Sequence, residues 1–330
     1  SAQSEPVSSL SIGCPQGSLL SPLIFLIYVA DMELWVDQVK LNSFADDTIS
    51  SYSSRDVNDV IDKLQADSTN LLRFMASNAL VANPKKTGFL LIRSGTMSES
   101  KSIAVGNETI KEESTHKILG MVVDNRLKWD EHVYGQNGVL PAVNKRVGVL
   151  RRLSNHIPRK YLPQIATAIV SSKIRYGLGI YGTVRTNNRD PHDNHQKDLQ
   201  IVLNKAMRLV TGKKLSDRVS INDLCTESGM LSVNRMSAID KISLTWNSLN
   251  DPKSPLADAL KVISGSGERS SRAKTRGDLQ TLARTALGQR NVPHSAVSLW
   301  NQCESTIRSS VEAKKIPKNL IRKYAESLPI

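Results

Sequence analysis

Cysteine is scarce: Cys14, Cys225 and Cys303 are spread over 330 residues without a CxxC pair. That excludes a disulfide framework and a zinc module, and it suits a reducing, intracellular setting. Aromatic residues make up only 5% of the chain, so a core must be built from Leu, Ile and Val. Long hydrophobic runs are missing as well. The longest, Leu19 to Val29, is 11 residues interrupted by Ser21 and Pro22, short of the ~20 that cross a bilayer, so no membrane partner is expected. No internal repeat is found. What is present suffices to fold: hydrophobic residues at 39% and charged residues at 23% exclude wholesale disorder, and the length fits about two domains. The chain begins at Ser1 without an initiator Met and meets a Gly/Pro motif almost at once, so it reads as a piece of a longer gene product.

The net charge of +13 is unevenly placed. Residues 1 to 90 carry 6 Lys+Arg against 10 Asp+Glu, whereas residues 91 to 330 carry 38 against 21. A basic surface beside a mildly acidic module suits a protein that holds a polyanion in one part and binds cations in another. A structural nucleic-acid binder fits the charge equally well.

Residues 10 to 125 read as mixed α/β. The apolar stretch Leu19 to Trp35 is too long for one strand and predicts a buried helix. Val39 to Phe44 and Thr48 to Ser53 predict a hairpin with acids at its turn. Val57, Val60, Ile61, Leu64, Leu71, Leu72 and Met75 recur at helical spacing, so residues 55 to 77 predict an amphipathic helix. Short strands are expected over 87–93, 102–105 and 117–123. Beyond Trp129 the pattern turns helical, with helices expected over 139–153, 159–175, 199–211, 232–249, 295–309 and 318–327. Ser264 to Arg276 reads as a Gly/Ser/Arg-rich linker. The fold class is thus α+β followed by an all-α part.

Two segments carry candidate chemistry. Asp46 and Asp47, side by side at a hairpin turn, could hold hard divalent cations, since Mg²⁺ uses one or two carboxylates plus substrate phosphates; as a dipeptide alone they are equally a polar turn. Gly13-Cys14-Pro15-Gln16-Gly17-Ser18 leads into Leu19-Leu20-Ser21-Pro22-Leu23-Ile24-Phe25, a turn whose backbone could approach a ligand closely. Phe44-Ala45-Asp46-Asp47 follows 26 to 29 residues after Ser18.

These residues resemble the reverse transcriptases of non-LTR (LINE-type, jockey-like) retrotransposons. Pro15 to Phe25 match that family's motif B, PQGSxLxPxLF, and Phe44 to Asp47 its motif C, FADD. Asn83-Pro84-Lys85-Lys86-Thr87 resembles motif D, and Leu119-Gly120, followed by Asp124, Leu127, Trp129 and His132, the primer grip. Leu299-Trp300-Asn301 resembles a sequence near the end of such reading frames. The resemblance implies a partial right-hand polymerase palm over residues 1–128, a helical thumb-like domain over 129–263, the linker 264–276 and a C-terminal helical region over 277–330. It implies RNA-directed DNA polymerase activity with two Mg²⁺ ions, or Mn²⁺, held through Asp46 with Asp47. RNA template, DNA primer and dNTPs would be the partners. Gln16, Gly17, Ser18, Phe44 and Ala45 would line the templating pair and nucleotide, Lys86 would protonate the leaving pyrophosphate, and Leu119 and Gly120 would hold the primer.

Motif A, whose aspartate is the family's first metal ligand, has no counterpart here: the sole acid before Gly13 is Glu5, in no matching context. Motif A, the fingers and an endonuclease are therefore expected upstream in the same polyprotein, and these residues alone are expected to be inactive; a non-enzymatic nucleic-acid-binding remnant is the competing reading. Lys145, Arg146, Arg151, Arg152, Arg159 and Lys160 form a basic run without an acid, expected to follow a nucleic-acid backbone unless it is simply a solvated face. His192, Asp193 and His195 read as a solvated polar loop rather than metal ligands, and Trp129 and Trp300 as core.

Overall fold

The computed structural model describes residues 13, 17–93, 99–187, 193–251, 253–254, 256–257, 260, 279, 292–311 and 316–329. The architecture is mixed α/β and divides into two compact units, one within residues 1–119 and the other from Gly120 onward, with residues 92–94 belonging to the second.

The first unit is organised by α2, Val57–Ser77. Asp56 starts it by accepting the Asn58 N–H at 3.0 Å. Val60, Leu64, Asp67, Leu71 and Phe74 then recur every three or four residues and are buried. Strands β1 (Lys40–Phe44) and β2 (Asp47–Ser51) form the expected antiparallel hairpin, in register from Lys40↔Ser51 to Phe44↔Asp47. In a second sheet β5 (Glu108–Glu113) is central, parallel to β3 (Phe89–Leu90) and antiparallel to β4 (Ser102–Val105). The stretch expected as one strand over 117–123 is instead β6 (Thr115–Ile118) and β7 (Met121–Asp124), interrupted where Leu119 and Gly120 take positive φ, 47° and 80°. Two apolar clusters meet α2, one around Val39, Phe89 and Ile103, the other around Val29, Met32 and Phe74.

The long buried helix expected over Leu19 to Trp35 is not found. Helix α1 runs only from Ser21–Tyr28, none of its residues is buried, and a 3₁₀ turn follows at Met32–Trp35. Leu19 is 98% exposed and Leu34 84%. A helix apolar on every side needs a partner on every side, and among the described residues of this unit only Phe25 of α1 joins a cluster.

The second unit is helical after β7. It contains α3 (Asp130–Tyr134), α4 (Val139–Leu153), α5 (Leu162–Ala166), α6 (Ser172–Arg175), α7 (Leu178–Tyr181), α8 (Asn194–Thr211), α9 (Ile221–Ser228), α10 (Val233–Asn250), α11 (Val292–Gln302), α12 (Ser305–Ser309) and α13 (Lys318–Ser327). The helix expected over 159–175 is broken into a 3₁₀ turn, α5, a π-helical turn at Thr167–Ser171 and α6. Asp193, Ser220 and Ser232 cap α8, α9 and α10 through their side chains, and Gly212 ends α8 with φ 74°. One core gathers α4, α5 and α8 through Val147, Leu150, Leu162, Leu203 and Met207; another gathers Ile242, Trp246, Trp300 and Ile321. Trp129 and Trp300 are buried, as expected. The linker expected over 264–276 lies outside the described residues. Among them, no helix is long and apolar enough to cross a membrane.

Candidate active site

The hairpin tip follows from its register. Phe44 and Asp47 are the last paired residues, so Ala45 and Asp46 form a two-residue turn, the tightest way to reverse an antiparallel pair. Only Ala45 of these takes positive φ, at 52°, a conformation that favours glycine and strains an alanine by about 1 kcal/mol or more. Such strain persists only where neighbouring structure imposes it. Here the ladder does so, helped by the Ser43 and Thr48 hydroxyls facing each other at 3.3 Å. Both carboxylates are exposed, Asp46 in the turn and Asp47 at the start of β2, and Phe44 is 67% exposed beside them.

The hairpin is anchored at its root. Asp67, 2% exposed on α2, accepts backbone N–H donors from Asp37 at 3.3 Å and from Gln38 and Val39 at 2.8 Å each. Burial opposes its charge, but these three donors, with Lys63 adding, outweigh burial and hold the carboxyl below the ordinary 3.8. The segment that runs into β1 is thereby fixed to α2.

The glycine-rich turn leads into α1 on the same support. Gly17 has φ 86°, a turn conformation that glycine adopts without strain, and the Ser18 hydroxyl accepts the Leu20 N–H at 3.2 Å. Gln16 lies outside the described residues. Phe25 of α1 and Leu41 of β1 pack on the same cluster around Phe74, and the Tyr28 hydroxyl donates to the Asn78 carbonyl at the end of α2. Both motif-bearing elements are thus seated on one helix.

Lys86 is exposed on a 3₁₀ turn, Pro84–Lys86, gathered by Asn83: its carbonyl accepts the Lys86 N–H at 3.0 Å and its side chain the Lys85 N–H at 3.1 Å. Gly88 ends this loop beneath His116, whose Nδ1 is 2.8 Å from Glu113 Oε2; a β-carbon on Gly88 would stand 2.3 Å from that ring. Among the described residues no third acid, His or Cys joins Asp46 and Asp47 in a metal-holding group.

The residues of the basic run are held differently, and all but Arg146 are exposed. Arg146 is half-buried and donates to the Ile169 carbonyl at 2.8 Å. Arg159 lies against Gly212 at the end of α8, and Lys160 sits over the Tyr161 ring at 4.9 Å. Lys145, Arg151 and Arg152 remain exposed on α4. The buried stripe of α4 is Val139, Val143, Val147 and Leu150, so Lys145 and Arg152, seven residues apart, share the opposite face, and Arg151 stands about 100° away.

His192 lies outside the described residues, and its neighbours are not a solvated loop. Asp193 caps α8, and His195 is held between Asp130 and Asp193. Asp67 was legible as a charge on the apolar stripe of α2; the His116–Glu113 pair beneath motif D carries no comparable signal.

A family model described as reverse transcriptase (RNA-dependent DNA polymerase) matches residues 4–123. The chain is 27% identical over 212 residues to the probable RNA-directed DNA polymerase from transposon X-element of Drosophila melanogaster, an overlap covering 62% of this chain and 22% of that protein. Its identity to the corresponding protein of transposon BS from the same species is 28% over 210 residues, 60% of this chain and 22% of that one. To the RNA-directed DNA polymerase from mobile element jockey it is 21% over 213 residues, with 62% and 22% covered. The match therefore spans about a fifth of the length of these relatives. No solved structure matches the chain. Residues 4–123 are thus similar to reverse transcriptase domains, and about three fifths of the chain is similar to RNA-directed DNA polymerases of Drosophila transposons.

Proposed function

We propose that the chain is the palm and thumb portion of an RNA-directed DNA polymerase, with residues 1–128 as palm, 129–263 as thumb and 277–330 as a further helical region. The observation that carries this reading is the strained, exposed Ala45–Asp46 turn, built on the same helix as the glycine-rich turn and α1. In this reading Gln16, Gly17, Ser18, Phe44 and Ala45 face the templating pair and the nucleotide, Leu119 and Gly120 the primer end, and Lys86 is the proton donor to the leaving pyrophosphate.

The donor chemistry fits the expected ion. Two carboxylates offer hard oxygen ligands, and Mg²⁺ completes its octahedron with water and substrate phosphates rather than a protein cage. Bound through Asp46 and Asp47, a Mg²⁺ pair would supply activation of the primer hydroxyl and neutralisation of the departing phosphates. With only two acids in the set among the described residues, and no match to motif A in the sequence, the chain alone is expected to be inactive. The runner-up, a non-enzymatic nucleic-acid binder, draws on that same incomplete set and on the exposed Lys145 and Arg152.

Primer extension separates them. The purified chain is expected to bind a primed RNA template and to extend nothing with Mg²⁺ and dNTPs. Joined to a segment that carries a motif A aspartate, it is expected to extend the primer, and Asp46→Asn should remove that activity. Extension by the chain alone would overturn the requirement for a third acid. A joined protein that stays inactive, or one indifferent to Asp46→Asn, would leave the binding reading standing instead.

Salt dependence tests the thumb. Each phosphate contact contributes about −0.9 to the slope of log affinity against log salt. Arg152→Gln is expected to reduce the slope for an RNA–DNA hybrid by about 1 without changing sequence preference, while Arg146→Gln leaves the slope unchanged because that guanidinium is engaged by Ile169. Equal slopes for Arg152→Gln and the unaltered chain would remove α4 from the nucleic-acid surface.

A further inference from the structure

In the helical unit, residues around α3, α7, α8, α10 and α11 line a half-open cavity of about 320 Å³. That volume lies within the range in which proteins hold small molecules. Its wall includes Trp129 and Asp130, Thr183, Asp193 with His195, and Lys241.

This wall carries charges of both signs. Lys241 is 1% exposed, and its Nζ donates to the Gly179 carbonyl and the Ser295 hydroxyl, each at 3.0 Å. Both acceptors are uncharged, and among the described residues Lys241 forms no ion pair. An ammonium offers three donors, and a buried cation without a counter-charge is costly to maintain. An anion reaching it meets a charge that water screens poorly. The same wall also carries acids. Asp130 Oδ1 lies 2.8 Å from His195 Nε2, and Asp193 Oδ1 lies 3.4 Å from His195 Nδ1. Thr183 donates its hydroxyl proton to Asp193 Oδ2 at 2.9 Å. Two carboxylates therefore gather about one imidazole, and the Asp130 side chain is 64% exposed, leaving it open to a further donor.

We propose that this cavity binds a small amino carboxylate, whose carboxylate meets Lys241 Nζ and whose N–H donors meet Asp130 and Asp193. One buried cation suits one negative charge. A phosphate dianion would bring a second charge toward two carboxylates with only the exposed Lys128 of the wall to balance it, and a simple amine would face the uncompensated Lys241. An apolar molecule would satisfy neither end. The site lies within the second unit and shares Leu127 and Trp129 of its wall with the primer-grip segment, but the groups proposed to meet the ligand, Lys241, Asp130 and Asp193, have no part in the polymerase reading.

The test is calorimetric titration of the full chain with the unbranched ω-amino carboxylates from glycine to 6-aminohexanoate, whose graded length spans the two ends of the cavity. Butyrate, butylamine and inorganic phosphate are titrated alongside. One member of the series is expected to bind at least tenfold more tightly than butyrate or butylamine, with no binding of phosphate. Lys241→Met should abolish that binding, and Asp130→Asn should reduce it to the level of butyrate. Circular dichroism and thermal unfolding establish that both variants fold. Unchanged affinity in Lys241→Met, phosphate binding as tight as the best amino carboxylate, or no binding by any member of the series would overturn the proposal. Should Lys241→Met fail to fold, Asp130→Asn decides alone, since unchanged affinity there overturns it too.

Discussion

Asp67→Ala is expected to destabilise the first unit by about 3 kcal/mol and to release the root of the hairpin that carries Asp46 and Asp47. The carboxylate accepts three backbone donors, from Asp37, Gln38 and Val39, and Val39 is itself buried. Hydrogen bonds to a charged group contribute roughly 1.5–3 kcal/mol each, and donors left buried without a partner cost more than the bonds alone suggest. Relaxation of the exposed Asp37 and Gln38 toward water recovers much of that, which keeps the expected loss below the sum of the three bonds. Asp67→Asn retains the shape and one acceptor oxygen, so its cost should fall between alanine and the native residue. The charge adds a pH signature. Because the folded carboxyl is held below 3.8, its contribution is fully present above that value and is lost as pH falls through the lowered one. Urea unfolding with hydrogen exchange at the Gln38 and Val39 amides measures both effects. A cost below 1 kcal/mol with those amides still protected would show that the segment is fixed by its apolar neighbours instead.

That anchor also shows what sequence patterning can and cannot convey. Asp67 falls on the stripe Val60, Leu64, Leu71 and Phe74, so a charge at a core position was visible before any coordinates. The hairpin was legible too, because β-forming runs flanked a short acidic turn; the φ of Ala45 was not, since alanine carries no signal for a conformation that glycine would normally take. Strand β5, Glu-Thr-Ile-Lys-Glu-Glu, sits at the centre of its sheet yet lacks apolar alternation, and only its pairing with β3 and β4 reveals it. For α1 the error ran the other way: hydrophobicity measures the advantage of burial but does not supply the surface that buries it. Charge is subject to the same limit. Six basic residues between 145 and 160 look alike in sequence, and only packing engages Arg146 with Ile169 and lays Arg159 against α8.

Lys241 is the case in which no pattern helped, because α10 is buried on most of its circumference. Asn234, Ser237, Lys241, Thr245 and Ser248 are buried among Val233, Met236, Ala238, Ile242 and Trp246, so no apolar face marks which polar residue lies inside. Burial lowers its pKa from 10.5 to about 8, which corresponds to about 3 kcal/mol by which the fold prefers the neutral amine. The sign follows from proton binding. Below pH 8 both folded and unfolded chains hold the proton and the full cost is present; between 8 and 10.5 the unfolded chain binds more protons, so stability rises with pH; above 10.5 both are neutral and the rise stops. Lys241→Met has no such rise. It removes the cost of the buried charge at neutral pH but forfeits the bonds of a charged donor to Gly179 and Ser295, roughly 1.5–3 kcal/mol each. The variant is therefore expected to be no more stable than the native chain at pH 7 and to lose about 3 kcal/mol further relative to it by pH 10.5. Taking the difference between the two proteins at each pH cancels the other titrating groups. A difference that stays constant from pH 7 to 11 would mean that the ammonium is already compensated, and the electrostatic reading of the cavity would fall with it.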